Sequence, residues 1–481
     1  MKKKCVAMML IAIMTASLAG CGSCKDRSGK SVKLDSDHPV SLTIWHYYNG
    51  AQQAMFDTLV KEFNASVGKE EGIYVESYSQ GSVSDLEEAV NSSLNGEVGA
   101  EELPDIFSSY SDTAYAVQQQ DKLADLSVYF TEDELSRYVD SYIQEGYFNQ
   151  DGALYLFPVA KSTEITMINK TDWEPFAEAT GTTVDELATT EVAQRYYEWT
   201  DEQTPDVPDD GKAFYGRDSM SNYFIIGMKQ MGKEIFQVKD GKMTLNTDED
   251  LIRRLWDNYY VPYMKGYFAS LGKFRSDDVK TGDILAYTGS TSSAVYFPDT
   301  VEKENESYPI DYIVCDSPVM EGGENIKVQQ GAGMAVTKSD EEHEYAASVF
   351  LKWFTQKNQN LRFVCESSYM PVLKEANSVD VLDSVIKENN IEVNQKVYDC
   401  FTTEMEDFDK TSFYTIGAFD NSYSARKILD YSLADKAKAD KDAMDAAIAD
   451  GEIREEALAQ YLTDENFQNW YTEFCHSLEQ D

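Results

Sequence analysis

Between Val40 and Tyr78 the apolar pattern runs from period two to helical spacing and back, and this order restricts the fold more than any other feature. Val40, Leu42 and Ile44 alternate with polar neighbours, as a half-buried strand does. Asn49 can cap a helix on which Met55, Phe56, Leu59, Val60 and Phe63 recur at helical spacing. Ile73 to Tyr78 supplies a second strand. Strand, helix and strand in so short a span form a βαβ unit, hence a parallel sheet. A third strand, Asp105-Ile106-Phe107, follows Pro104, and Ser111 or Asp112 caps the next helix. An α/β fold is expected, with parallel-rich sheets flanked by helices.

Further along, Leu154 to Pro158 and Ile165 to Ile168 bracket a polar stretch, Ala160 to Glu164. Residues 171 to 260 read as mostly helical, interrupted by an acidic loop at Thr204 to Gly211. Ile284 to Tyr287 returns to strand and meets the hydroxyl-rich Thr288 to Ser292. Residues 343–357 form an amphipathic helix with Tyr345, Val349, Trp353 and Phe354 on its apolar side. Residues 426–449 read as an alanine- and charge-rich outer helix. No internal repeat is visible.

The N-terminus carries Lys2-Lys3-Lys4 and then an apolar run from Val6 to Met14. A basic start, a short apolar core and small residues before a cut make a secretory signal peptide over residues 1–20. The run is shorter than the ~20 residues a bilayer span needs. Its ending, Leu18-Ala19-Gly20-Cys21, resembles the bacterial lipobox, which implies acylation (palmitate) at Cys21. Residues 21–39, rich in Gly, Ser, Lys and Asp, then read as a flexible tether. The expected location is the outer face of the bacterial cytoplasmic membrane, with the lipid as anchor.

The 481 residues suffice for two or three compact units. A formal charge of −43 repels nucleic acid phosphates and anionic lipid heads, which argues against both as partners. Of the seven cysteines, Cys24, Cys315, Cys365, Cys400 and Cys475 form no Cys-x-x-Cys pair among themselves, and the four histidines are scattered, so no metal site is expected. Gly29-Lys30-Ser31 lacks the earlier glycine of a P-loop, since Cys24 stands there. Asp206 to Arg217 has Pro208 and Arg217 where a calcium loop needs oxygen ligands.

Four blocks together resemble the extracellular solute-binding proteins of ABC importers, family 1, the group that includes maltose-binding protein. They are Leu42-Thr43-Ile44-Trp45 with its helix, and Leu103 to Phe107 with Leu123 to Leu126 after the next helix. Leu154 to Pro158, ending in Ile168-Asn169-Lys170, is the third. The last is Gln330 to Val336, the 343–357 helix and Tyr369 to Val372. Asp121 stands where relatives often have Gly, a position for a left-handed turn. The resemblance implies a two-lobe periplasmic-binding-protein fold of type II, a solute held between the lobes, hinge closure and delivery to a membrane permease. It implies neither a reaction nor a cofactor, and a monomer. The division expected from it puts 40–158 and 281–326 in the N-terminal lobe, and 159–280 and 327–481 in the C-terminal lobe.

A sugar ring suits an aromatic platform with oriented donors and acceptors. Tyr47, Tyr48 and Asn49 stand at a strand's carboxyl end, where open α/β sheets form crevices, while Trp45 reads equally as core. Tyr110 and Asp112 follow the third strand in the same way, although one of Ser111 and Asp112 can serve only as a cap. Glu164 reads as a hydroxyl acceptor or as a surface ion pair. Ser290 and Thr291 read as solute donors or as caps, and Tyr369 as a cleft loop residue. Tyr223 and Phe419 are weaker candidates. A mono- or oligosaccharide is the leading solute, with a cationic or amino-bearing one as an alternative. The rival readings are an extracellular glycoside hydrolase and an adhesive surface lipoprotein. With 85 acidic residues a carboxylate pair says little for the first, and no Gly-x-Ser-x-Gly or His-Glu-x-x-His motif is present.

Overall fold

The computed structural model describes residues 29–186, 190–207, 209–239, 241–303 and 306–480. The expected signal peptide and Cys21 lie outside the described residues.

The first lobe is built on a five-stranded sheet in the order Ile73–Ser79, Val40–His46, Ile106–Ser109, Gly333–Val336, Phe157–Pro158. Val40–His46 runs parallel to both neighbours, as the strand–helix–strand pattern requires. Helix Gly50–Ala65 presses Phe56, Leu59, Val60 and Phe63 into the core, four of the five apolar residues that mark its periodicity. The helix Glu341–Phe354 packs on the same side, with Phe56 edge-on to Phe354 at 5.3 Å. Edge-on rings add specificity to the burial that drives the packing.

The second lobe holds a four-stranded sheet ordered Tyr312–Asp316, Glu164–Asn169, Ile284–Ser290, Ala213–Arg217. Every residue of Glu164–Asn169 is buried. Ile165 and Met167 enter one apolar cluster and Ile168 another, so both faces are covered. A helical layer, Met220–Gln230, Glu249–Met264, Ser422–Ala449 and Asp464–Gln480, closes around Phe224, Trp256, Leu429, Leu433 and Trp470. The long helix Ser422–Ala449 buries Ser422, Ala425, Leu429, Leu433, Ala437 and Met444 along one side, with Ile428, Ala434 and Ile448 partly buried beside them.

Three segments of chain pass between the lobes. Residues 159–163 lead out, 329–332 lead back, and the chain crosses again after the strand Ser412–Tyr414, which pairs with Ile326–Val328. Ser162 bridges Gln330, and Lys161 bridges Met370. These sheets divide the chain differently from the expected boundaries. Ile284–Ser290 and Tyr312–Asp316 belong to the second sheet, whereas Gly333–Val336 and the helix Glu341–Phe354 belong to the first lobe. The reason is tertiary. Glu164–Asn169 is paired along one edge with Ile284–Ser290 and along the other with Tyr312–Asp316, and a strand's partner leaves no mark on its own apolar pattern.

Residues 29–39, expected to be tether, are docked on the first lobe. The Lys30 amide donates to the Val128 carbonyl at 2.8 Å, Lys30 pairs with Glu341, and the Ser31 hydroxyl meets that of Tyr345 at 3.3 Å. Asp121 does adopt the left-handed turn, with φ 57°, and both of its carboxylate oxygens accept from Lys338 at 2.7 and 2.8 Å.

His46 ends the first strand fully buried, and its Nδ1 accepts the Tyr48 amide at 3.1 Å. Burial lowers its pKa from 6.5 to about 4. Between those values the unfolded chain binds the proton that the folded chain refuses, so stability is full above pH 6.5 and falls as pH drops toward 4. This group alone accounts for about 3 kcal/mol of that loss. The variant His46→Asn keeps an acceptor but cannot titrate. Its denaturation midpoints are expected to change less with pH over this window than those of the parent, and equal slopes would exclude His46 as the cause.

Candidate functional site

A cavity of about 310 Å³ lies between the lobes. Its first-lobe wall comes from the starts of two helices, Val83–Leu94 with Ser84 and Glu87, and Ser111–Gln119 with Tyr110 at its cap and Asp112 in its first turn. Gln329, Gln330, Gly331 and Glu145 form the floor. The second-lobe wall is the loop Thr415 to Ala418 with Ser422, Tyr423 and Arg426 from the long helix. A wider cavity of about 780 Å³ adjoins it, sharing Glu87, Asp112, Ser422 and Tyr423.

The floor is held by a buried lysine. Lys161 pairs with Glu145 and donates to the Gly331 carbonyl at 2.7 Å. Gly331 has φ +94°, and a Cβ there would stand 3.1 Å from the Ala160 carbonyl and 3.2 Å from the Tyr369 ring, so the position requires glycine. Glu145 also accepts the side-chain amide of Gln329 at 2.6 Å. That bond fixes which way the carboxamide points and leaves Gln329 Oε1 buried without a partner. Gln330 Oε1 and the Ser422 hydroxyl are likewise buried and unpartnered among the described residues. Buried polar atoms are normally satisfied, so three such oxygens around one cavity mark it as a place for hydrogen-bonding groups from outside the chain.

Beside the cavity the hydroxyls of Tyr47 and Tyr369 approach to 3.5 Å, with Tyr110 close to both. Burial, and then the neighbouring phenols, push the pKa of Tyr47 well up, and burial does the same for Tyr110 and Tyr369. All three therefore stay neutral and keep a donor hydrogen. On the opposite wall Arg426 donates to Asn222 Oδ1 at 3.2 Å, and Asn222 in turn donates to Glu164 at 2.8 Å. Burial raises the pKa of Glu164, opposed by Arg217 and by the Asn222 hydrogen bond.

The structure thus brings Tyr47, Tyr110, Asp112 and Tyr369 together at the cleft, while the other sequence candidates lie elsewhere. Tyr48 is core: it stacks on His46 at 4.8 Å and sits edge-on to Phe56 at 5.1 Å, because the chain turns inward there to pack beneath its helix. Asn49 heads that helix, exposed and away from the cavity. Glu164 lies one layer behind the wall, next to Arg217 and Asn222. Ser290 and Thr291 serve a turn, the Ser290 hydroxyl accepting the Ser292 amide at 3.3 Å and Thr291 donating its amide to the Thr163 carbonyl at 2.8 Å. Tyr223 is buried and donates to the Leu255 carbonyl at 2.8 Å, and Phe419 packs on Phe236. Sequence reasoning missed Glu87, Gln329, Gln330, Ser422 and Arg426 as cavity residues. Only the glutamines carried a signal, since Gln330 opens the block Gln330 to Val336 and Gln329 precedes it.

Among the described residues no cluster of His, Cys, Asp and Glu can hold a metal ion, and Cys365, Cys400 and Cys475 are free thiols. Nor is any described helix long and apolar enough to cross a membrane.

Known proteins agree with this architecture. No curated protein sequence matches significantly. Among solved structures, the cyclic alpha-maltosyl-1,6-maltose binding protein from Arthrobacter globiformis superposes with a TM-score of 0.65 at 19% identity, covering 92% of this chain and 100% of that one. UgpB from Mycobacterium tuberculosis, in complex with glycerophosphocholine, gives 0.61 at 17%, covering 92% and 99%. The ABC substrate-binding protein Lmo0181 from Listeria monocytogenes, in complex with cycloalternan, gives 0.60 at 16%, again covering 92% and 99%. At these identities the likeness establishes the two-lobe fold. The family model described as "Bacterial extracellular solute-binding protein" matches residues 58–391, most of the chain. The chain therefore belongs to the bacterial extracellular solute-binding proteins, a family of binding proteins rather than enzymes.

Proposed function

We propose that this protein captures a carbohydrate in the interlobe cleft and hands it to the permease of an ABC importer, working as a monomer tethered by a lipid on Cys21. The observation that carries the reading is the set of unpartnered, oriented oxygens on Gln329, Gln330 and Ser422 at one cavity, with neutral phenols close by. Sugar hydroxyls both donate and accept, so they can satisfy acceptors and phenol hydrogens together. Tyr110 and Tyr423 line the cavity with aromatic rings, the side chains that suit the apolar side of a pyranose. The cavity and its wider neighbour leave room for more than one ring. Two of the named structural neighbours, the binders of cyclic alpha-maltosyl-1,6-maltose and of cycloalternan, support a saccharide ligand. In this reading Tyr47, Tyr110, Asp112 and Tyr369 are ligand-side residues of the first lobe, and Arg426 faces them from the second.

Thermal unfolding of the purified protein against a panel of mono- and oligosaccharides tests this directly. A cognate sugar at 100 times its dissociation constant stabilises the fold by about 2.7 kcal/mol, a rise of a few degrees in Tm, with the sugar recovered intact. A well-folded sample that responds to no sugar would overturn the carbohydrate assignment. With the cognate sugar in hand, Gln329→Leu is expected to weaken binding by about tenfold or more, because a hydrogen-bonding acceptor is lost. The variant Asn222→Ala, at a residue whose one hydrogen bond to a lining residue among the described residues is to Arg426, is expected to weaken it by a smaller factor through loss of the Arg426 orientation. Unchanged affinity in both, by calorimetric titration, would move the site elsewhere.

A further inference from the structure

The charges around the cavity do not balance. Glu87 and Asp112 stand on the same first-lobe wall and line both the cavity and its wider neighbour. Neither is in an ion pair among the described residues; Asp112 accepts only the adjacent Thr113 amide, at 2.8 Å, and Glu87 leans on the Thr113 hydroxyl. Burial and the nearness of Asp112 raise the pKa of Glu87, the mark of two carboxylates that crowd each other. Glu145, the third acid, is already neutralised by Lys161. Across the cleft the one cation among the lining residues is Arg426, and Glu164 with Asn222 draws part of its charge away from the cavity. Two open carboxylates therefore face one partly committed guanidinium.

Hydrogen-bonding capacity leans the same way. Glu87, Asp112, Gln329 Oε1 and Gln330 Oε1 are all acceptors, and Gln329 is 97% buried with its oxygen unpartnered. An ammonium has three donors and no acceptor, so it matches such a wall better than a hydroxyl does. Closing the lobes lowers the local dielectric and sharpens repulsion between two like charges unless the solute carries the missing positive charge. The chain's formal charge of −43 would also draw a cationic solute toward the cleft.

We propose that the solute is a saccharide bearing a protonated amine, its ammonium held between Glu87 and Asp112 and its hydroxyls on Gln329, Gln330 and Ser422. This rests on the carbohydrate assignment and narrows it to amino sugars and their oligomers.

Matched pairs that differ only in amine against hydroxyl decide the matter: glucosamine with glucose, galactosamine with galactose, and fully deacetylated chitotriose with cellotriose. Calorimetric titration of the purified protein near pH 6.5 at low salt is expected to favour the amine in at least one pair by about tenfold. That ratio should shrink as salt is added and fall toward one in Glu87→Gln and Asp112→Asn, with the unfolding midpoint confirming that each variant is folded. Neutral members binding as tightly as, or tighter than, their amines would overturn the inference and leave the carbohydrate assignment standing. So would an amine preference that persists undiminished in both variants. No binding by any member of any pair would overturn the inference, and silence of the wider sugar panel as well would overturn the carbohydrate assignment.

Discussion

A buried lysine at the crossing between the lobes organises much of this protein. Lys161 is almost wholly enclosed, and an ammonium in that position survives only if its hydrogens and charge are both answered. Glu145 answers the charge, and the Gly331 carbonyl takes a second hydrogen. The Lys161 backbone bridges Met370 as well, so one residue gathers the outgoing crossing, the returning crossing and the loop that carries Tyr369. Buried pairs of this kind add little net stability, because desolvation offsets most of the attraction. Their effect is geometric. Breaking one side would leave a charge stranded, so the three segments hold one arrangement.

The same carboxylate reaches into the cavity. Glu145 accepts Lys161 and Gln329 on one oxygen, so the junction of the crossings and the floor of the site share an atom. A second buried lysine sits close by in sequence to the returning crossing. Lys327 donates to both oxygens of Glu404, at 2.9 and 2.8 Å, and to Asp316 at 2.7 Å, tying the crossing strand to the helix Gln395–Glu406 and to the second sheet. Burial pushes Glu404 up to about 7 against the pull of Lys327. Lys327 therefore anchors the returning strand just before the crossing, and Lys161 holds the crossing itself at the Gly331 carbonyl.

What could be read from the sequence follows from where the information resides. The strand–helix–strand opening was legible because burial imposes a period on the residues themselves, as Leu42, Ile44, Phe56 and Phe63 show. The left-handed turn at Asp121 was legible from the residue type that relatives prefer. Lobe membership was not, since Ile284–Ser290 reads as a buried strand whichever sheet receives it. Tyr47 and Tyr48 are both tyrosines just beyond a strand, yet adjacent residues face opposite ways there, and only packing decides that Tyr48 enters the core. Ser290 and Thr291 carried hydroxyls that suit a sugar and a helix start equally well; local capping claimed Ser290, and the distant Thr163 amide claimed Thr291. Arg426 and Ser422 gave no signal at all: each sits on a long helix whose composition is that of a solvated surface.

On the proposed carbohydrate assignment, the cavity's selectivity follows from what is unpaired in it. An acceptor buried without a donor costs about 1–3 kcal/mol, and Gln329 Oε1, Gln330 Oε1 and the Ser422 hydroxyl stand in that condition. A solute that supplies hydrogens at those points removes the cost, whereas one of the same shape without them inherits it. Discrimination is therefore enforced by the penalty on the wrong solute more than by any single attraction to the right one. This requires the oxygens to stay where they are, and the Glu145 bond to the Gln329 amide denies that carboxamide the rotation that would let it pair elsewhere. On the same assignment the buried lysine beneath the floor bears on specificity without touching the solute: it holds Glu145, and Glu145 fixes the carboxamide of Gln329, a residue that lines the cavity.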